Sequence, residues 1–234
     1  MKKLGILFLG LLLLFCRTVC FASVADGDMS LNEGAQEYVL TEEDKLLLEQ
    51  KELKMKEYLA EANEAKSYPY TKTISVPCYL QSETYFCGPA TVKEVVQFKK
   101  GTSKTQYQYS YDLGTTAAGT DMTIIPGVIN AELGANIYVY YSFLNQTDWL
   151  GKVVYSTNTS TPVILDINTT AVSEIPYNTT GHFLPVSGYH QNASGVHDQI
   201  RVADPHYAYC GSAWYSVSGL YTACYNHWRK AIIW

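Results

Sequence analysis

Gln81-Ser82-Glu83-Thr84-Tyr85-Phe86-Cys87-Gly88-Pro89-Ala90-Thr91-Val92 decides how the rest of the chain is read, because here a polar loop runs into a cysteine that opens a helix. A thiol at a helix N-terminus sits beside backbone N–H groups without intrahelical partners and the positive end of the macrodipole, and both favour thiolate over thiol. Gly88 lets backbone approach a substrate, and Pro89 is pre-set for the first helical turn, where its missing N–H costs nothing. Val92, Val95, Val96 and Phe98 recur at helical spacing and give the helix a face to bury; Gly101 ends it. Gln81 precedes Cys87 by six residues, enough for the loop to bring its amide NH2 beside the sulfur. There it would stabilise the oxyanion formed when thiolate attacks a carbonyl. A lone cysteine is more often a small buried hydrophobe. The flanking Gln, Gly and Pro weigh the other way, making Cys87 the candidate nucleophile and Gln81 the candidate oxyanion donor.

A nucleophilic thiol needs a base. His182 to Tyr189 and Gln199 to Asp204 are extended runs separated by turn residues Asn192 to Gly195, the pattern of an antiparallel hairpin. A turn centred near Ala193 pairs residues whose numbers sum to about 386, which sets His182 opposite Asp204. Opposed side chains approach within about 5 Å at Cβ, so the carboxylate can accept from the imidazole and fix its tautomer. His182 is then the candidate base and Asp204 its orienter. His190 and His197 fall at the turn end, His206 follows Asp204-Pro205 and could line a cleft, and His227 lies in a C-terminal helix or strand. A rival chemistry is a zinc site made from His206, Cys210, Cys224 and His227, whose spacings suit metal ligands. Export favours a disulfide over a metal there, so neither metal nor cofactor is expected.

The 234 residues, 47% hydrophobic, suffice for one sizeable core rather than two domains, and the net charge of −5 argues against a nucleic-acid-binding surface. Residues 1–25 read as a signal peptide: Lys2 and Lys3, an apolar run from Leu4 to Phe15, and a small-residue exit at Ala22 or Ala25. The chain is therefore expected outside the cell, secreted or surface-associated. No later stretch is apolar and long enough for stable membrane insertion. With the signal removed, Cys78, Cys87, Cys210 and Cys224 remain. A nucleophilic Cys87 leaves three, for which a Cys210–Cys224 disulfide is the first expectation and a bridge from Cys78 to one of those two the competitor.

Residues 26–70 form a helical pro-segment or N-terminal arm: after a polar spacer, Thr41 and Asp44 make a partial capping box, and Leu46, Leu47, Leu53, Tyr58 and Leu59 give an apolar face. A solvated stalk is the plainer reading of the same charged helix. Residues 71–234 are the main domain. Thr73 to Val76 alternates as a strand, Asp121 to Leu133 is a second helix capped by Thr120-Asp121, Ile137 to Phe143 a strand, Asp148 to Val154 a short helix, and Thr161 to Ile167 a buried strand.

Gln81, Cys87-Gly88-Pro89-Ala90, Gly181-His182 at a strand start and Ala203-Asp204-Pro205, in that order, resemble the bacteriocin-processing (double-glycine leader) peptidase family, and most closely its stand-alone secreted relatives. The likeness runs from about Ile74 to the C-terminus. It implies an α+β, papain-like fold with the nucleophile helix packed on an antiparallel sheet, and the roles given above for Cys87, His182, Asp204 and Gln81. Lacking the membrane spans and ATP-binding domain of transporter-linked members, the chain is expected to be a monomeric secreted cysteine peptidase acting on a peptide or protein through a thioester. Two alternatives stand beside it: a cell-wall peptide hydrolase or acyl transferase with the same triad, and a non-catalytic papain-like binding module, which a Cys78–Cys87 disulfide would support.

Overall fold

Alternating apolar residues in the second half of the chain build a sheet that both halves use as their floor. The computed structural model describes residues 27–31, 34–63 and 69–234, so the signal-peptide expectation for residues 1–25 lies outside the described residues. In chain order the elements are α1 (Glu42–Asn63), β1 (Tyr70–Thr73), α2 (Cys87–Lys100), α3 (Gln106–Asp112), a 3-10 turn (Met122–Ile124), α4 (Ile125–Leu133), β2 (Tyr140–Ser142), α5 (Gln146–Asn158), β3 (Ile164–Asp166), β4 (Phe183–Gln191), β5 (His197–Asp204), β6 (Gly211–Ser216), α6 (Val217–Asn226) and β7 (Ala231–Ile233). The sheet order is β2-β7-β3-β4-β5-β6, with β1 paired to β4, and every pairing is antiparallel.

The period-two alternation of strands divides the core in two. Ile164, Phe183 and Ile233 face a cluster with Val92, Val95 and Val96 of α2 and Ile125 and Ile129 of α4. Leu165, Leu184 and Ile232 face the other side, where Trp149 and Val153 of α5 and Leu220 of α6 complete the larger cluster. The fold is thus α+β, with the nucleophile helix packed against an antiparallel sheet, as expected. Among the described residues no helix is long and apolar enough to cross a membrane.

Local signals are realised closely at helix ends. Thr41 and Asp44 exchange the expected bonds, Asp44 N to Thr41 Oγ1 at 3.1 Å and Thr41 N to Asp44 Oδ2 at 3.0 Å. Gly101 ends α2 in the left-handed region, φ 79°. The buried face of α1 differs from the expected one: Leu46 and Leu53 are exposed, whereas Leu47, Leu48, Met55 and Leu59 pack on the larger cluster. An ion cluster fixes that face, since fully buried Lys152 of α5 meets Glu52 of α1 at 2.6 Å and Asp148 at 2.5 Å. β1 begins three residues earlier than the alternation suggested, so the expected 70/71 boundary falls within a strand that pairs with β4. The helix α3 was not anticipated, although Thr105 and Gln108 form a complete capping box at its start.

Candidate active site

The first helical residue of α2 is Cys87, wholly buried. One turn on and on the same helix face, the Thr91 hydroxyl donates to the Phe183 carbonyl at 3.0 Å. That bond seats the start of α2 against the head of β4, immediately after His182. His182 is held from both sides: its carbonyl accepts from Ile167 N at 3.0 Å beyond β3, and its Nε2–H donates to Asp204 Oδ1 at 2.9 Å at the end of β5. Nδ1, with no hydrogen-bond partner among the described residues, is turned away from the carboxylate.

The expected pair therefore forms, but by a different register. Val186 pairs with Val202 rather than Ile200, and the ladder shifts between Val186 and Gly188 and again between His190 and Gln191. Continued along the strand, that register sets Asp204 nearer Leu184, so its bond to His182 runs diagonally. Bulges of this kind insert a residue and re-aim side chains, and turn chemistry does not reveal them.

Asp204 is buried, and two further donors reach it: the Tyr177 hydroxyl gives a bond to Oδ2 at 2.6 Å and His206 N–H one to Oδ1 at 2.9 Å. Burial pushes its carboxyl up, but the charge and hydrogen bond of His182, with those of Tyr177 and His206, outweigh it and leave Asp204 below the usual carboxylate range. Tyr177 lies edge-on to the His182 ring at 5.5 Å. Burial first, then the charges of Asp204 and Cys87, keep its phenol protonated well above the usual range. His206 stacks on Tyr177 at 3.9 Å, and burial lowers its imidazole to about 4, so it is neutral. The sequence offered no signal for Tyr177, which lies in an irregular segment before β4.

Gln81 is buried in the loop before α2. Its Nε2 donates to the carbonyls of Thr84 at 2.7 Å and Glu83 at 3.0 Å, and its backbone N–H to Pro205 O at 2.9 Å, next to Asp204. Gln106 of α3 brackets it, accepting from Ser82 N and donating to Leu80 O, both at 2.8 Å. From α2, buried Glu94 accepts from Tyr79 N at 2.7 Å; burial holds its carboxyl well above the usual range. The loop carrying Gln81 and Cys87 is thereby fixed to both α2 and α3.

His190 lies at the hairpin's turn end, bonded to Asp198 at 2.6 Å. The alternative zinc set is dispersed. Cys210 sulfur lies 3.3 Å from that of Cys78, Cys224 is buried in the larger core cluster, and His227 Nδ1 lies 3.3 Å from Asp166 Oδ2. The same distances replace the expected Cys210–Cys224 disulfide: all four described cysteines are outside disulfides, and the sulfur near Cys210 belongs to Cys78. Among the described residues one group, Asp28, Asp166 and His227, brings three potential ligand atoms within 4.8 Å of one another, but Arg229 already bonds Asp28 there.

Helix, sheet and the His182–Asp204 pair define an α+β domain of papain-like design. The chain belongs to the Peptidase_C39 like family, whose model matches residues 73–232. Among solved structures it is similar to the peptidase domain of Streptococcus ComA, a bi-functional ABC transporter involved in a quorum-sensing pathway, with 16% identity, TM-score 0.47, and coverage of 68% of this chain and 96% of that one. No curated protein matches.

Proposed function

We propose that this chain is an exported cysteine peptidase that hydrolyses peptide bonds through a thioester. The observation that carries it is the His182–Asp204 bond of 2.9 Å at the head of the strand against which the Cys87 helix start is seated. In this reading His182 Nδ1, open because Nε2 is committed to Asp204, takes the Cys87 proton, and the helix start stabilises the thiolate. The sulfur attacks a peptide carbonyl; the N–H groups at the helix start receive the oxyanion, joined by the Gln81 amide once it exchanges its bond to Glu83 O or Thr84 O for one to the substrate. His182 returns its proton to the leaving amine, giving the thioester. Water, deprotonated by His182, then hydrolyses the thioester and restores the thiol. An ionised Asp204 fixes the imidazole tautomer and stabilises the imidazolium that each step creates.

The test is labelling by a peptide carrying a thiol-directed group, mapped by mass spectrometry, together with turnover of a peptide library. Wild type is expected to label at Cys87 and Cys87→Ala to lose both that label and turnover; turnover that survives Cys87→Ala ends the proposal. The binding-module alternative drew support from a Cys78–Cys87 disulfide, and the Cys78 sulfur instead adjoins Cys210.

A further inference from the structure

Residues 27–29 run between the two walls that carry the candidate catalytic groups. On one wall, Thr120 N–H donates to Gly27 O at 2.9 Å and Met29 N–H donates to Thr120 O at 3.2 Å, a parallel bridge. Thr120 itself lies over Gly88, the neighbour of Cys87: a Cβ on Gly88 would stand 2.3 Å from Thr120 Oγ1. On the other wall is the lead-in to His182, where a Cβ on Gly27 would lie 2.0 Å from Gly181 C and 2.4 Å from His182 N. Only glycine fits between them.

The next side chain enters a built pocket. Asp28 is buried, accepts from Met122 N–H at 3.0 Å, and is bonded by the Arg229 Nε–H. Arg229, also buried, donates to Asp121 Oδ1 at 2.8 Å and to Gln36 O at 2.9 Å, and Asp166 and His227 close the pocket. Backbone bonds along an extended segment, with a side-chain pocket for specificity, are how a strand-like peptide is recognised.

We infer that Gly27-Asp28 occupies the substrate groove as a tethered ligand, and that the Arg229 pocket is a subsite selecting peptides in which glycine is followed by an acidic residue. The inference rests on the peptidase reading only for the word substrate; the recognition it assigns is a binding property. A carboxyl group suits the pocket because its two oxygens accept from the Met122 N–H and the Arg229 Nε–H, and among the described residues Asp121 is the further acidic partner of Arg229.

The experiment uses the full chain as Cys87→Ala, with Gly27→Ala added to unseat the arm, and a fluorescein-labelled hexapeptide of the sequence of residues 26–31. Anisotropy should show the peptide binding Gly27→Ala/Cys87→Ala at least tenfold more tightly than Cys87→Ala alone. The same peptide with Asp28→Ala, which removes both acceptor oxygens, should lose at least tenfold, a comparison that needs no further protein variant; Arg229→Ala should lose as much. Equal affinity of the two peptides, or no gain from Gly27→Ala, overturns the inference. Tight, Asp-dependent binding with no turnover by Gly27→Ala that retains Cys87 would instead uphold the subsite and sink the peptidase reading.

Discussion

His182 stands between two buried aspartates that differ in every electrostatic respect. Asp204 closes β5 on one side, Asp166 closes β3 on the other, and both are essentially inaccessible to water. Asp204 has three donors, His182, Tyr177 and His206, and is held below the usual carboxylate range. Asp166 is held well above it, first by burial and then by the charge of Asp28. His227 does not reverse this, because burial and Arg229 lower its imidazole to about 3 and leave it neutral. Burial alone thus decides nothing about charge; the donors brought to each carboxyl do. One aspartate can support an imidazolium, and the other is pushed toward its neutral form beside the arm.

The sharpest way to break this comparison is to neutralise each in turn. Asp204→Asn should lower kcat by about 10³- to 10⁴-fold by favouring the wrong imidazole tautomer. Asp166→Asn, which removes a carboxyl that burial and the charge of Asp28 already push toward its neutral form, should cost under about tenfold. Equal losses would mean that the two sides of His182 are not different after all.

Next in size is Tyr177→Phe. It removes a hydrogen bond to a buried carboxylate and should cost about 1.5–3 kcal/mol in urea unfolding at neutral pH. Because the folded-state pKa of Asp204 is depressed, its stabilisation is present above the ordinary carboxylate value and is lost as pH falls through the folded one. With one donor gone the folded-state value rises toward the ordinary one, so the Asp204 part of the acid limb should end at higher pH and be smaller; an unchanged acid limb would show that Tyr177 does not set the Asp204 charge.

A smaller effect is expected on the other side. Burial raises Asp28 from 3.8 to about 6, opposed by Arg229 and assisted by Asp121, with Asp166 and His227 facing it across the pocket. The docked arm binds this proton more tightly than the undocked one, so docking is favoured below that range and weakens as pH rises from about 4 to about 6. Hydrogen exchange at Thr120 N–H, which bonds Gly27 O, should accelerate severalfold beyond its intrinsic pH dependence across that window, and Asp28→Asn should abolish the excess. The smallest change is Thr41→Ala: loss of the α1 cap should cost about 1 kcal/mol or less and lower the melting temperature with no shift in either aspartate's pH limb.

What was legible in the chain is local. The helix opened by Cys87, its glycine stop, the Thr41 cap and the alternation of the strands all depend on neighbours within a few residues, where backbone sterics and capping bonds act. The order of Gln81, Cys87, His182 and Asp204 was legible for the same reason, as short motifs on those elements. Leu46 and Leu53 fit the helical apolar pattern yet stay exposed, because the face α1 buries is chosen by α5 through Lys152. The register bringing His182 to Asp204 depends on a ladder shift within the hairpin, and Tyr177 joins from a segment with no periodic pattern. Asp28 meets Arg229 across 201 positions of sequence. Sequence alone determined which residues could carry chemistry; tertiary structure decided which of two identical buried carboxyls carries charge, because that depends on donors and neighbouring acids supplied by distant parts of the chain.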